Sequence, residues 1–206
     1  MPLISVSNNA LSNITAIPAS IPTGALTLIK SITASASASI SFVDGTDGVV
    51  LDGTYLSYVF KFIDIHPAND GVNFTFQGST DGGSNYNVTL TSTAFQAYHA
   101  ENDSGTSLAY GSDKDQAQGT SFQVIMQPIG NESDESGSGT LQIFNPSSLV
   151  FVKHFIGNTN YYNDGNYSQT LFTAGYFNTT SAINAVQFKF SSGNIDDGII
   201  KLYGVK

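Results

Sequence analysis

Side chains able to carry out chemistry are few in this sequence, and they are scattered. Three histidines, His66, His99 and His154, fall in different segments, without the H-x-H or H-E-x-x-H spacing that brings two imidazoles onto one metal ion. Of sixteen acids only three are glutamates, Glu101, Glu132 and Glu135, and all three lie in stretches that read as loops. Many of the aspartates adjoin Gly or Asn, as at Asp44, Asp47, Asp52, Asp70 and Asp81, where a short carboxylate closes a turn by accepting a backbone N–H. Glycoside hydrolysis needs two opposed carboxylates, and this pool consists mostly of turn residues. No serine stands in a G-x-S-x-G elbow, no glycine-rich phosphate loop occurs, and the absence of cysteine excludes disulfides and thiolate metal sites. The DGTDG stretch at 44–48 has half the pattern of a calcium loop but lacks its full register and terminal Glu, so a plain turn is expected. These residues point to a non-enzymatic chain with no metal and no other cofactor.

Binding chemistry is better represented. The stretch GNTNYYNDGNYSQ, 157–169, reads as a Tyr- and Asn-rich loop. Tyr161, Tyr162 and Tyr167 could stack on a glycan while Asn160, Asn163 and Asp164 hydrogen-bond it; packing against a neighbouring subunit would use the same residues. All seven basic residues are lysines, they form no cluster, and the net charge is −9. Phosphate neutralisation therefore has no source, which argues against nucleic-acid binding. No stretch approaches the ~20 apolar residues of a helical membrane span, so membrane insertion is not expected. The opening residues lack the charged and apolar regions of a signal peptide, so synthesis without a secretion signal is expected.

The elements that must hold these residues are strands. Charged residues make up only 11% of the chain, and Ser, Thr, Asn and Gly carry most of its polarity. Period-two alternation recurs along the chain and no sustained helical pattern is capped at both ends. Tyr58, Phe60 and Phe62 alternate with Val59 and Ile63, which predicts a central strand covered on both faces and closed by His66-Pro67. Three hairpins are expected: 72–90 around GSTDGGS, 140–156 around NPSS, and 185–204 around SSGNIDDG. In the second, both parities of 149–156 are apolar, so His154 is expected to pack within the sheet and make one hydrogen bond. The 91–119 stretch should hold a short strand or helical turn and a protruding loop, and 130–139 a solvated tip. Ten or more short strands separated by turn residues predict an all-β, antiparallel two-sheet β-sandwich of the jelly-roll kind, with a complete barrel as the rival. Residues 25–206 are read as a single β-sandwich domain and 1–24 as an extended N-terminal arm, whose Leu3, Ile4, Val6, Leu11, Ile14, Ile17 and Ile21 suit docking on another surface.

Four stretches, SVSNNALSNITAIPASIP, YVFKFIDIHPANDGVNFTFQGSTDGGSNY, FNPSSLVFVKHFI and AGYFNTTSAINAVQFKFSSGNIDDGIIKLYG, resemble virion-type proteins of marine tailed bacteriophages, including those of cyanobacterial hosts. The resemblance implies a β-sandwich displayed on the virion, made in the host cytoplasm and released by lysis. It carries no catalytic motif. The expected role is a capsid decoration or head-fibre component bound to other virion proteins and assembled as a homo-oligomer, with a trimer suiting a three-fold lattice site. The alternative is a tail-associated receptor-binding protein that recognises a host glycan.

Overall fold

A computed structural model describes residues 26–206. The proposed docking residues Leu3, Ile4, Val6, Leu11, Ile14, Ile17 and Ile21 lie outside the described residues. Every regular element described is a strand, and all pairings are antiparallel. In chain order the strands are β1 (Thr27–Thr33), β2 (Ile40–Val43), β3 (Ser57–Pro67), β4 (Val72–Ser79), β5 (Leu90–Ala100), β6 (Thr106–Tyr110) and β7 (Ala117–Gly119). They continue with β8 (Gln123–Ile129), β9 (Gly137–Phe144), β10 (Lys153–Asn163), β11 (Tyr167–Phe177), β12 (Ala185–Phe190) and β13 (Ile195–Val205).

One run of neighbours is β1-β13-β3-β9-β10-β11-β5, with β6 and β7 along the far edge of β5. A second is β8-β4-β12-β2, joined to the first where Asn163 of β10 pairs with Ile129 of β8. At the opposite end the sheet comes back toward itself. Leaving β1, the backbone keeps following β13, with Ala34 N–H donating to Gly198 O at 2.8 Å and Ser37 N–H to Ile195 O at 2.8 Å, before it enters β2. The result is a continuous, nearly closed, barrel-like sheet. The small residues of the 34–39 run form this corner: Ala34 is buried in it, and Ala36 takes a left-handed φ of 47° at the bend. Further curvature comes from irregular pairing of β13 with β3 around Asp64 and Gly198. Gly198 has φ +121°, and a Cβ there would stand 2.8 Å from the Asp64 carbonyl oxygen, so a side chain would force the strands apart.

The core is phenylalanine. Phe188 on β12 lies within 5.0–6.4 Å, centroid to centroid, of Phe42, Phe60, Phe62, Phe74 and Phe76, which come from β2, β3 and β4. Phe76 then meets Phe155 and Phe177, which extends the packing to β10 and β11.

Several sequence expectations are corrected by this topology. The 185–204 segment is not a hairpin: β12 lies between β4 and β2, whereas β13 lies between β1 and β3. Its two strands alternate as expected, but they sit on separate parts of the barrel wall and contribute to one core, so SSGNIDDG is an arch. Nor is 72–90 a hairpin, because β4 pairs with β8 and β12. Its return segment is a loop gathered by Asp81, which accepts from Ser79 Oγ, Asn85 N and Asn85 Nδ2. These bonds hold the Asp81 carboxyl down at about 2. The 140–156 hairpin does form, as β9 with β10, but Leu149, Val150 and Phe151 lie in its turn at 73%, 70% and 71% exposure. His154 is exposed and rests edge-on against Tyr176 rather than packing within the sheet. The 157–169 stretch is a regular β10–β11 hairpin and not a loop. Three strands, without a helix, occupy 91–119. On β3 only the Tyr58, Phe60, Phe62 face is fully buried, while Val59 and Ile63 are half-buried. The 130–139 tip is not wholly solvated, since Glu135 is buried and accepts from Glu132 N.

Replacing Phe188 with Ala should destabilise the fold by ~3–5 kcal/mol, read as a lower denaturation midpoint at unchanged m-value. Tyr58 is fully buried, its hydroxyl donating to Asp52 O at 2.8 Å, and burial pushes the phenol up to about 12. The folded state therefore holds this proton more tightly, and the associated stability is complete below the ordinary tyrosine value near 10.0. It should be lost as the pH rises from there toward about 12, and Tyr58→Phe should flatten that part of the stability-against-pH curve.

Candidate functional site

The barrel interior changes character along the strands. At one end the inward residues of β5 and β11 are Leu90, Ala94, Leu171 and Phe177; at the other they are Gln96, Tyr98, Tyr167 and Gln169. Asn163 on β10 and Gln127 on β8 continue the polar set. Together these six residues line a cleft of about 290 Å³, walled also by Lys114 and Pro128. A chain of amides runs through it: Asn163 Nδ2 donates to Gln169 Oε1 at 2.9 Å, and Gln169 Nε2 donates to Gln96 Oε1 at 2.8 Å. Tyr98 and Tyr167 meet edge-to-face with centroids 5.2 Å apart. On the remaining wall Lys114 Nζ bonds both carboxylate oxygens of Asp113, at 2.8 and 2.9 Å, and holds that carboxyl below its usual range. Gln127 Nε2 donates to the same carboxylate at 3.1 Å, while Gln127 Oε1 is buried without a partner among the described residues.

The tyrosines singled out from sequence are dispersed around the tip of the β10–β11 hairpin. Tyr161 is a core residue, 2% exposed, and its hydroxyl donates to Gln127 O at 2.6 Å; burial pushes the phenol up. It offers no ring face to a glycan or to a neighbouring subunit. Tyr162 points to the opposite face, where it lines a second polar cleft of about 290 Å³ with Asn160, Ser168, Glu101 and Asp134. Its hydroxyl donates to Asn166 Oδ1 at 3.2 Å, and the Glu101 carboxylate pushes the phenol up. Asp164 sits in the three-residue turn against Gly71, and lost hydration together with the nearby Asp70 charge pushes its carboxyl up. Of the residues singled out from sequence, Tyr167 and Asn163 reach the amide-lined cleft. Gln96, Tyr98, Gln127 and Gln169 were missed by sequence reasoning. The available signal was parity, since Gln96 continues the inward series Leu90, Ser92, Ala94.

The remaining sequence candidates are structural. His66 Nδ1 is 2.6 Å from the Glu135 carbonyl oxygen, to which it donates. His99 is exposed and 3.0 Å from Asp103, on a different strand from either of the others. Asp44 Oδ1 accepts from Leu51 N at 2.8 Å, closing the turn expected at 44–48. Among the described residues no three or more His, Asp or Glu side chains gather as metal ligands would.

The outer face of β6, β5, β11 and β10 is a second feature. Phe95 and Phe172 stack there with centroids 4.9 Å apart, beside exposed Leu108, Tyr110 and Ile156. A depression of about 430 Å³ opens between His154, Ile156 and Tyr176, over Ala174 and Gly175. The outward positions of β5, β10 and β11 are filled by Thr, Ser, Ala, Asn, His, Tyr, Phe and Ile, with no lysine or carboxylate among them. Compared with known proteins, the chain matches no family model, no curated protein and no solved structure.

Tyr161→Phe should cost ~1–3 kcal/mol, because it leaves the Gln127 carbonyl without its donor. Tyr162→Phe should stay within about 0.5 kcal/mol. Paired denaturation curves measure both.

Proposed function

We propose that this chain is a non-enzymatic bacteriophage virion protein, a capsid decoration or head-fibre component, which works as a homo-oligomer. The observation that carries this reading is the aromatic outer face of β6, β5, β11 and β10, whose outward β5, β10 and β11 positions hold no charged side chain, on a chain of net charge −9. Copies of an acidic protein repel one another, and a face whose β5, β10 and β11 positions hold no carboxylate, bordered by Asp115 beside Tyr110 and by Glu101 and Asp134 beside Tyr162, is where two copies can approach at reduced electrostatic cost. Its Phe95–Phe172 stack and exposed Leu108 offer the aromatic and aliphatic surface that subunit interfaces bury, and the depression beside Ile156 can receive a neighbour's side chain. A trimer suits a three-fold position on an icosahedral lattice. Facing of β8-β4-β12-β2 against the longer run of strands is consistent with a flattened jelly-roll sandwich, the architecture expected from the family resemblance. The alternative, a tail-associated receptor-binding protein recognising a host glycan, draws its support from the amide- and tyrosine-lined cleft.

Light scattering on the purified chain should give a closed oligomer, and Phe95→Ser combined with Leu108→Ser should shift it to monomer with its β-sheet spectrum intact. A wild-type monomer at tens of micromolar would sink the assembly reading. Copy number in purified particles separates the two locations, with hundreds expected for the head lattice and a few to some dozens for the tail.

A further inference from the structure

We propose that residues 1–24 of this chain pack on the apolar tip that Leu56, Leu149, Val150 and Phe151 form at one end of the barrel. Leu149, Val150 and Phe151 are consecutive in the β9–β10 turn, and all three stand in solvent. Leu56, 71% exposed, precedes β3, and its carbonyl oxygen accepts from Asn145 N at 2.8 Å where that turn begins. The turn is held by its own hydrogen bonds. Ser148 Oγ accepts from Val150 N at 3.2 Å and from Phe151 N at 3.1 Å, and Pro146 O accepts from Ile183 N at 2.9 Å. A single exposed leucine is ordinary, whereas a contiguous apolar group on a fixed turn marks a contact surface.

The occupant follows from where the described fold begins. Leu26 leads into β1, whose first residues pair with the end of β13, and the end of β13 pairs with the start of β3. The preceding residues therefore join the fold at the same end of the barrel as the tip. Strand order from there is β1-β13-β3-β9-β10, so at ~4.8 Å per strand the join lies about 19 Å from β10, a span of about six extended residues. Counting back from Leu26, that span ends near Ser20 and leaves Ile17, Ile14 and Leu11 for the tip. Charge agrees with this pairing. Residues 1–25 contain no Asp, Glu, Lys, Arg or His, and neither do 53–57 or 145–152, so the contact buries no charged side chain in a chain of net charge −9. Tethering favours this segment over a second copy, because a segment joined to the fold by a short span has an effective concentration on the order of millimolar. The proposal does not rest on the assembly reading, since Phe95 and Leu108 take no part in it.

The chain has no cysteine, so a nitroxide attached at Ser12→Cys is the one label on the molecule. When the labelled, isotope-enriched full chain is diluted into unlabelled protein, the amide signals of Leu149, Val150 and Phe151 should be broadened away. Those of Asp103 and Ser104, in the β5–β6 turn at the opposite end of the barrel, should remain. Val150→Ser combined with Phe151→Ser should restore the turn's signals with a native-like spectrum elsewhere, both positions being exposed. Ile14→Ser combined with Ile17→Ser should do the same from the other side of the contact. Phe95→Ser combined with Leu108→Ser should leave the broadening unchanged whatever it does to the oligomer, which keeps the two readings separable. The proposal is overturned if the tip signals persist beside the label, if they are lost only when label and enriched tip lie on different molecules, or if the loss survives both pairs of serine substitutions.

Discussion

Phe188 is the constraint on which the remaining structure depends. Its ring meets phenylalanines from β2, β3 and β4, so two runs of strands that pair almost nowhere with each other are held to one dry interior. Burying rings of this size is the largest favourable term available to a chain with few charges and no disulfide. The same packing dictates the unusual connections. Both ends of the 185–204 segment must face this core from different stretches of wall, so their linker arches across the barrel. The segment from β1 to β2 does likewise at the small-residue corner, where Ala34 is buried and the backbone bonds to β13.

A barrel closed by aromatic packing at one end need not be dry at the other. Past Leu171 and Ala94 the inward positions pass to amides and tyrosines, and the hydrogen-bond chain Asn163–Gln169–Gln96 replaces ring contacts. Buried amides are tolerable only where they satisfy one another, as these do in series, whereas Gln127 Oε1 beside them is buried without a partner among the described residues. Lys153 shows the same economy elsewhere in the interior: fully buried, it donates to Thr179 O at 3.0 Å, and burial lowers its affinity for a proton. Surface chemistry is partitioned too. Aspartates occupy turns such as that of Asp81, and the outward positions of β5, β10 and β11 carry no lysine or carboxylate.

How much of this was legible in the sequence differs from element to element. Alternation marked β1, β3, β4, β8, β12 and β13 within a few residues of their bounds, and the turn role of Asp44 followed from its neighbours. Tyr161 and Tyr162 are adjacent in sequence, yet one lies in the core and the other lines an outer cleft, because successive strand residues point to opposite faces. Reading 157–169 as a loop hid that distinction. Leu149, Val150 and Phe151 failed in the opposite sense: their β-branched and aromatic character promised a buried strand, but the turn that joins β9 to β10 places them in solvent.

What the sequence by itself determined is local: the period-two alternation that makes strands, the Gly, Asn and Asp positions that end them, and a composition rich in hydroxyls and amides and poor in charge. Which strand lies beside which was decided by the tertiary structure alone. A hairpin and an arch share the same alternation and the same turn residues, and only the packing of Phe188 against both runs of strands chooses between them. The cleft belongs to this second category, since its residues come from β5, β8, β10 and β11 and are brought together by pairings with no local signature.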